Sequence, residues 1–277
     1  MDATSATTST ESFLNVTELA GQEISGEQLT RLCHRYIWAG GYCAGRDVLE
    51  VACGTGTGLS YLAGKARSLA AGDYSPEVLA SAKKAHSGLG IDLSTFDAQQ
   101  LPFADKSLDV VIICEALYYV PNADAFAREA RRVLRVGGTL LIVNSNKDLY
   151  DFNPSPFSTI YHGTVEIAAL ARRNGFAPNL FGYLPVDEVS MRQRILRPVK
   201  RIAVALNLMP KTMTGKTFLK RLVFGRMTTM PTDIRDEMID YKAPSPIPAD
   251  RPDRRHKVIY CAATALPPAQ APMANPG

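Results

Sequence analysis

The chain has 277 residues, of which 46% are hydrophobic and 21% are charged, so it is long enough for one large or two small globular domains. It contains no run of about 18 uncharged apolar residues, and the polar start MDATSATTSTESF lacks the apolar segment of a secretory signal. Five cysteines without a CxxC pair or zinc-like spacing predict reduced thiols, no metal site and a cytoplasmic location.

The charge is unevenly distributed along the chain. Residues 186–255 contain 15 lysines and arginines against 8 acids, a net charge of +7, which leaves −3 for the rest of this +4 chain. A single basic segment in an otherwise mildly acidic chain indicates a local partner surface and disfavours a general nucleic-acid-binding protein.

In chain order, strands and helices alternate from residue 47 onwards. Predicted helices are 22–44 with Ser25 as N-cap and Glu27 following, a short helix after residue 58, 75–85 with Ser75 as N-cap, 123–135 ended by Gly137 and Gly138, and 164–176 with Thr164 as N-cap. Predicted strands are 47–52, 66–73, 90–97, 108–114, 139–144, 179–185 and 257–266. This alternation predicts an α/β fold with a parallel sheet covered by helices on both faces.

Four regions follow from composition and pattern. We expect a flexible N-terminus over 1–21, a core over 22–185 plus 256–266, a basic helical insertion over 186–255 and a disordered tail over 267–277. Within the insertion, 191–227 has ten basic residues, no acid and a repeated apolar side. Three interpretations stay open for it: a lid packed on the sheet, a contact with an anionic membrane surface, or a homodimer face.

The stretch VLEVACGTGTGLSYLA, residues 48–63, takes a buried strand through Gly54, Gly56 and Gly58 into a helix. Such a turn lies beyond the carboxyl end of a strand, where α/β sheets bind ligands. A triphosphate-binding loop is excluded because no Lys-Ser/Thr pair follows, and Leu59 stands where a dinucleotide fingerprint needs a glycine. A GxGxG turn preceded by Glu50 is the third option.

Five motifs in order resemble those of the class I S-adenosylmethionine-dependent methyltransferases. They are VLEVACGTGTG, GDYSPEVL, FDAQQLPF, LDVVIICEALYYV and LRVGGTLLIV, and they cover about 45–145, with weaker continuation to 184 and at 257–266. The resemblance implies a Rossmann-like, seven-stranded, mostly parallel sheet whose last strand is antiparallel, with the basic insertion between the last two strands.

The resemblance also implies S-adenosylmethionine as cofactor and a role for each motif. Asp73 would bind both ribose hydroxyls, Asp97 the adenine amino group, and Glu50 the methionine end. We also expect Arg35 and Tyr36 of the first helix to close over the cofactor. The expected cofactor contacts are Tyr36, Glu50, Ala52, Cys53, Gly54, Thr55, Gly56, Asp73, Tyr74, Asp97, Ala98, Gln99, Cys114 and Glu115.

The acceptor side is less specified by the sequence. His162 is the candidate base, with Asp148 and Asp151 as rivals in the same loop, whereas Tyr118 and Tyr119 either face the acceptor or pack under a helix. His34 and His86 are expected at the surface.

The N-terminal helix, the SPFSTIYH loop and the basic insertion together resemble bacterial sugar and polysaccharide methyltransferases. We therefore expect methyl transfer to the hydroxyl of a small molecule or glycan, with a lipid-linked glycan as the more specific form of this hypothesis. The alternatives are C-methylation of a quinone-like lipid and a non-catalytic cofactor-binding scaffold. CEALYY differs from the NPPY-like tetrad that follows the fourth strand in nucleic-acid and protein methyltransferases, so we expect no nucleic-acid acceptor.

Overall fold

A computed structural model of the chain describes residues 17–155, 157–186 and 227–268. The helices are α1 Gly26–Gly40, α2 Leu59–Ala63, α3 Pro76–Ala85, α4 Ala123–Val133 and α5 Thr164–Arg173, with 3-10 turns at Leu117–Tyr119 and Asp236–Met238. The strands are β1 Glu23–Ser25, β2 Asp47–Val51, β3 Ser68–Asp73, β4 Asp92–Thr95, β5 Leu108–Cys114, β6 Leu134–Ser145, β7 Phe176–Pro185, β8 Met227–Thr229, β9 Ser245–Pro246 and β10 His256–Ala265.

The central sheet has the strand order β4-β3-β2-β5-β6-β10-β7-β9. Strands β4, β3, β2, β5 and β6 are parallel, whereas β10 runs antiparallel to both of its neighbours, β6 and β7. This confirms the predicted mostly parallel sheet with an antiparallel last strand, and the two-residue β9 is an additional edge strand. Because β3 and β5 lie on opposite sides of β2, strand order reverses at the carboxyl end of β2, where such sheets bind ligands.

Helices cover both faces of the sheet, as predicted. In β5, Val111 and Ile113 pack in one core with Phe126 of α4 and Ile167 of α5. The alternate residues Val110 and Ile112 pack in a second core, together with Leu32 and Trp38 of α1. The unbroken apolar sequence of this strand therefore reflects burial on both sides.

The first helix begins at the predicted cap. The Ser25 hydroxyl accepts a hydrogen bond from the Gln28 amide at 3.2 Å, and the Gln28 side chain accepts one from the Ser25 amide at 3.0 Å. Gln28, and not Glu27, therefore completes the capping box. Just before this helix, β1 pairs with β8 in a separate two-stranded sheet.

Several local predictions were wrong. Helix α5 is capped by Gly163 and begins at Thr164, and α4 ends at Val133 without using the two glycines, because β6 starts directly at Leu134. His34 and His86 were expected at the surface, but both are buried. Other elements of the fold cover both side chains, because His34 stacks on Tyr183 and His86 packs against Gly56 of the glycine turn.

The region boundaries remain predictions where the structure gives no description. Most of the predicted insertion, residues 187–226, lies outside the described residues, as do 1–16 and 269–277. Part of the predicted flexible N-terminus is ordered: the Gly21 amide donates to the Met230 carbonyl at 3.0 Å. In the ranges that the structure covers, no helix is both long and apolar enough to span a membrane, and all five cysteines are buried free thiols.

Candidate functional site

A cavity of about 540 Å³ lies at the carboxyl ends of β2, β3 and β5, where the strand order reverses. Twelve of the residues predicted from the sequence line it: Tyr36, Ala52, Cys53, Gly54, Thr55, Asp73, Tyr74, Asp97, Ala98, Gln99, Cys114 and Glu115. Tyr118 and Tyr119 line it as well. Glu50 and Gly56 do not line it. Glu50 lies in β2, and Gly56 lies in the glycine turn that follows this strand.

The glycine turn has two distinct reasons for its small residues. Gly56 has a left-handed φ of +83°, and a Cβ there would lie 2.9 Å from Leu59 and 3.0 Å from His86. Gly58 has an ordinary φ, but a Cβ there would lie 2.0 Å from the ring of Tyr36. Gly56 therefore permits the turn, and Gly58 makes room for the aromatic ring of Tyr36 in α1.

Asp73 joins the turn to the end of β3. Its two carboxylate oxygens accept hydrogen bonds from the Gly54 and Ser75 amides, each at 3.0 Å. Burial raises the pKa of Asp73, although these amide bonds lower it in part. A carboxylate oxygen can accept more than one hydrogen bond, so Asp73 is suited to accept ribose hydroxyls as well.

Asp97 lies beyond the end of β4, on the other side of the cavity from the turn. It accepts hydrogen bonds from the Gln99 amide at 2.8 Å and from the Gln99 side-chain amide at 3.1 Å. Phe96 and Ala98 flank it and also line the cavity. A carboxylate between an aromatic ring and a small apolar residue suits an adenine, whose amino group donates and whose faces are apolar.

Glu50 is buried between the turn and α1, with 1% of its surface exposed. Its Oε1 accepts the Tyr36 hydroxyl at 2.7 Å, while Oε2 is buried without a partner among the described residues. Burial raises the pKa of Glu50 to about 7, against the lowering effects of Tyr36 and Arg35. An unpartnered buried acceptor beside the turn fits a cofactor that carries a donor such as an ammonium group.

Glu115 follows β5 in a left-handed conformation, φ +51°. Arg31 of α1 contacts its Oε1 at 2.6 Å, and Oε2 accepts the Ser145 amide at 3.1 Å and the Ser145 hydroxyl at 2.7 Å. Burial would raise the pKa of Glu115, but Arg31, Arg35 and the Ser145 hydroxyl together hold it below its usual value. Glu115 is therefore an ionised carboxylate in the wall of the cavity.

The end of the cavity beyond Glu115 is aromatic. Tyr118 donates to Glu115 Oε2 at 3.3 Å and stacks on Tyr161, with ring centroids 4.2 Å apart. The Tyr119 and Ser155 hydroxyls bond at 2.6 Å, and the Thr159 amide donates to the Tyr118 carbonyl at 2.7 Å. These contacts fold the loop after β6 over the two tyrosines.

The structure does not bring His162 to the cavity. The residue lies at the end of the same loop, where its carbonyl accepts the Asn144 side-chain amide at 3.2 Å. Its Nδ1 is buried without a partner among the described residues, and burial lowers its pKa. Asp148 and Asp151 are also absent from the cavity wall. The predicted base is therefore separated from the site by the packing of its own loop.

Other residues at the site were not predicted. Thr17 and Glu18 of the N-terminal segment line the cavity, and Arg31 holds Glu115. For Arg31 the signal was available, because Arg31 and Arg35 are four residues apart and therefore share one face of α1. No local pattern pointed to Thr17 or Glu18.

Residues 49–142 match the family model described as a methyltransferase domain. The chain carries a class I S-adenosylmethionine-dependent methyltransferase domain. Among curated relatives, a probable S-adenosylmethionine-dependent methyltransferase of Mycolicibacterium smegmatis is 32% identical over 150 residues, 53% of this chain and 55% of that protein.

Two further relatives are named for lipids. A probable phthiotriol/phenolphthiotriol dimycocerosates methyltransferase of Mycobacterium ulcerans is 43% identical over 98 residues, 34% of this chain and 38% of that protein. A fatty-acid O-methyltransferase of Mycolicibacterium smegmatis is 38% identical over 103 residues, 36% of this chain and 38% of that protein. The chain thus spans about half or less of the length of these relatives.

The fold also matches solved methyltransferase structures. An S-adenosylmethionine-dependent methyltransferase of Thermotoga maritima, described as a possible histamine N-methyltransferase, superposes with a TM-score of 0.55 at 14% identity. The match covers 86% of this chain and 89% of that one, so it concerns the whole fold. S-adenosylmethionine is therefore the cofactor of this methyltransferase domain.

Proposed function

We propose that the protein transfers the methyl group of S-adenosylmethionine to a hydroxyl group of a lipid or lipid-linked acceptor, such as a lipid-linked glycan. The observation that carries this proposal is the aromatic end of the cavity. Tyr118, Tyr119, Val120 and Pro121 form its wall, and none of them carries a charge. Such a wall suits an apolar acceptor better than a free sugar, which needs several polar partners.

The rim near this wall supports the same choice. Phe157 and Ile160, in the loop folded over the two tyrosines, are 55% and 59% exposed. Large apolar side chains exposed close together are typical of surfaces that meet an apolar partner. The names of the fatty-acid O-methyltransferase and of the phthiotriol methyltransferase also refer to lipids, although the matched part of each is about a hundred residues.

The cofactor supplies an activated methyl group on a sulfonium. The protein binds the cofactor, aligns the acceptor with the methyl group and keeps water away. Asp73 and Asp97 would hold the ribose and the adenine, and Glu50 would accept a hydrogen bond from the methionyl ammonium. Tyr118 and Tyr119 would hold the acceptor and exclude water from the reacting end.

We assign Glu115, in place of His162, as the group that receives the acceptor proton. It is ionised, it lines the cavity next to Tyr118, and Arg31 and Ser145 fix its orientation. The acceptor hydroxyl would donate to Glu115, which orients an oxygen lone pair for attack. As the new carbon–oxygen bond forms, the proton would pass to this carboxylate and from there to solvent. The methyl carbon would leave the cofactor sulfur, which keeps the electron pair of the broken bond as a neutral thioether.

Methyl transfer can be tested with cofactor carrying a labelled methyl group. We expect label in a long-chain alcohol or glycolipid and little in the matched free sugar, with the product carrying an O-methyl group. Glu115→Gln should lower kcat at least tenfold. Label on carbon of a quinol lipid would replace this proposal with C-methylation. Cofactor binding without transfer to any lipid fraction would favour a non-catalytic scaffold.

We also propose that the basic segment 191–227 brings the protein to an anionic membrane surface. The support is its sequence, with ten basic residues, no acid and a repeated apolar side. Flotation with vesicles containing phosphatidylglycerol should be lost when 191–227 is deleted, and it should weaken at high salt. If full-length protein does not float at low salt, the segment is a lid or a dimer contact instead.

A further inference from the structure

We propose that Arg35 recognises the methionyl carboxylate of the cofactor and that Glu18 occupies this position in the ligand-free protein as an internal substitute. The inference rests on the proposed methyltransferase function. It gives Arg35 a specific group of the cofactor to bind, it adds Glu18, and it makes the N-terminal segment a competitor of the cofactor. A cofactor lacking the carboxylate would then be discriminated against at Arg35.

The charges around the cavity leave few partners for a carboxylate. Among the described residues that line it, Glu18, Asp73, Asp97 and Glu115 are acidic, and Arg35 is the cationic one. This excess of negative charge suits a ligand with a sulfonium and an ammonium group. The carboxylate of the same ligand needs a cation or backbone donors, and Arg35 is the side chain available to it.

Arg35 is a buried side chain that has one donor without a partner among the described residues. Its side chain is 9% exposed, and it donates to the two Glu18 carboxylate oxygens, from Nη2 and, at 3.5 Å, from Nη1, while Nε is buried without a partner among the described residues. A buried guanidinium with a spare donor is costly unless another acceptor reaches it. A planar carboxylate can accept two parallel hydrogen bonds from such a group.

Glu18 is the partner that can leave. Its side chain is 42% exposed, so its carboxylate can turn into water at little cost, whereas the Arg35 guanidinium has no such option. The Glu18 carbonyl is anchored separately, because it accepts the Thr55 hydroxyl at 2.8 Å. The segment can therefore stay on the glycine turn while the side chain gives up Arg35.

The two ligands that separate this mechanism from alternatives differ only in the carboxylate. S-adenosylhomocysteine and its decarboxylated form share the nucleoside, the sulfur and the amine. We expect the native protein to bind S-adenosylhomocysteine at least tenfold more tightly in isothermal titration calorimetry. Arg35→Gln should reduce this preference to less than threefold, and Arg35→Lys should retain part of it.

Glu18→Gln should strengthen binding of S-adenosylhomocysteine several-fold because it removes the competing charge. It should change binding of the decarboxylated form less than twofold. The control Glu23→Gln alters a carboxylate of the same segment that does not line the cavity, and it should change neither affinity. Thermal unfolding of each variant verifies that it is folded.

The possible outcomes distinguish the inference from the function on which it rests. If Arg35→Gln is folded and keeps the full preference for the carboxylate, backbone amides hold that group and the inference is wrong. Weaker binding of S-adenosylhomocysteine to Glu18→Gln would make Glu18 a cofactor ligand and also overturn the inference. If the native protein binds neither ligand, the proposed function itself fails.

Discussion

Replacing Glu50 by glutamine should change the stability of the ligand-free protein in a pH-dependent way. The free energy of unfolding of Glu50→Gln, measured relative to that of the native protein, should increase as the pH rises. Glu50 is buried, and burial raises its pKa from 4.5 to about 7. The folded state therefore holds a proton at Glu50 between these values that the unfolded state has released, so the contribution of Glu50 to native stability falls as the pH rises through this range. At 1.36 kcal/mol per pH unit, the difference amounts to roughly 3 kcal/mol above pH 7.

The assay is urea unfolding of native protein and Glu50→Gln at several pH values from 4.5 to 8, without ligand. Glutamine keeps an oxygen for the Tyr36 hydroxyl but adds an N–H that finds no described partner, a cost that does not depend on pH. The slope of the difference between the two proteins is therefore the relevant quantity. A flat difference for Glu50→Gln across this pH range would refute the reasoning.

Three further predictions follow from other contacts. Because His34 is buried and its pKa is lowered to about 4, its contribution to native stability should fall by about 3 kcal/mol as the pH drops from 6.5 to 4, and in urea unfolding the stability of native protein relative to His34→Gln should fall by this amount over that range. Gly58→Ala should lower stability by about 1–3 kcal/mol in thermal unfolding, because its Cβ would meet the Tyr36 ring at 2.0 Å, whereas Gly26→Ala, with no atom within 4 Å, should not. Arg31→Met should raise the pKa of Glu115, because it removes a positive charge and a hydrogen bond that stabilise the carboxylate, and an unchanged acidic limb of the kcat/KM profile would contradict this.

The sequence predicted the half of the site that is built from strand ends. Asp73 is the last residue of β3 and Asp97 lies two residues after β4, so identifying these strands was enough to bring both carboxylates to the same edge of the parallel sheet. The glycine turn was predicted for the same reason. Periodicity and cap residues are local signals, and they were sufficient here because the strands and the glycine turn are specified by the residues within them.

The rest depends on contacts between distant parts of the chain. Arg31 reaches Glu115 over 84 residues of sequence, and no local pattern encodes that pairing. The position of His162 depends on the stacking of Tyr161 on Tyr118 and on the Asn144 side chain, which hold the loop after β6. A histidine in a loop was a reasonable candidate base, but loop packing decided where it lies.

The most direct test of the cofactor assignment is calorimetric binding of S-adenosylhomocysteine to the native protein and to Asp73→Ala. Asp73 lines the cavity, and its carboxylate is the acceptor that we assign to the ribose hydroxyls. Loss of two hydrogen bonds to a charged acceptor should weaken binding by about a hundredfold or more, and Asp73→Asn should lie between the two. Affinities for native protein and a folded Asp73→Ala variant within threefold of each other would contradict this account.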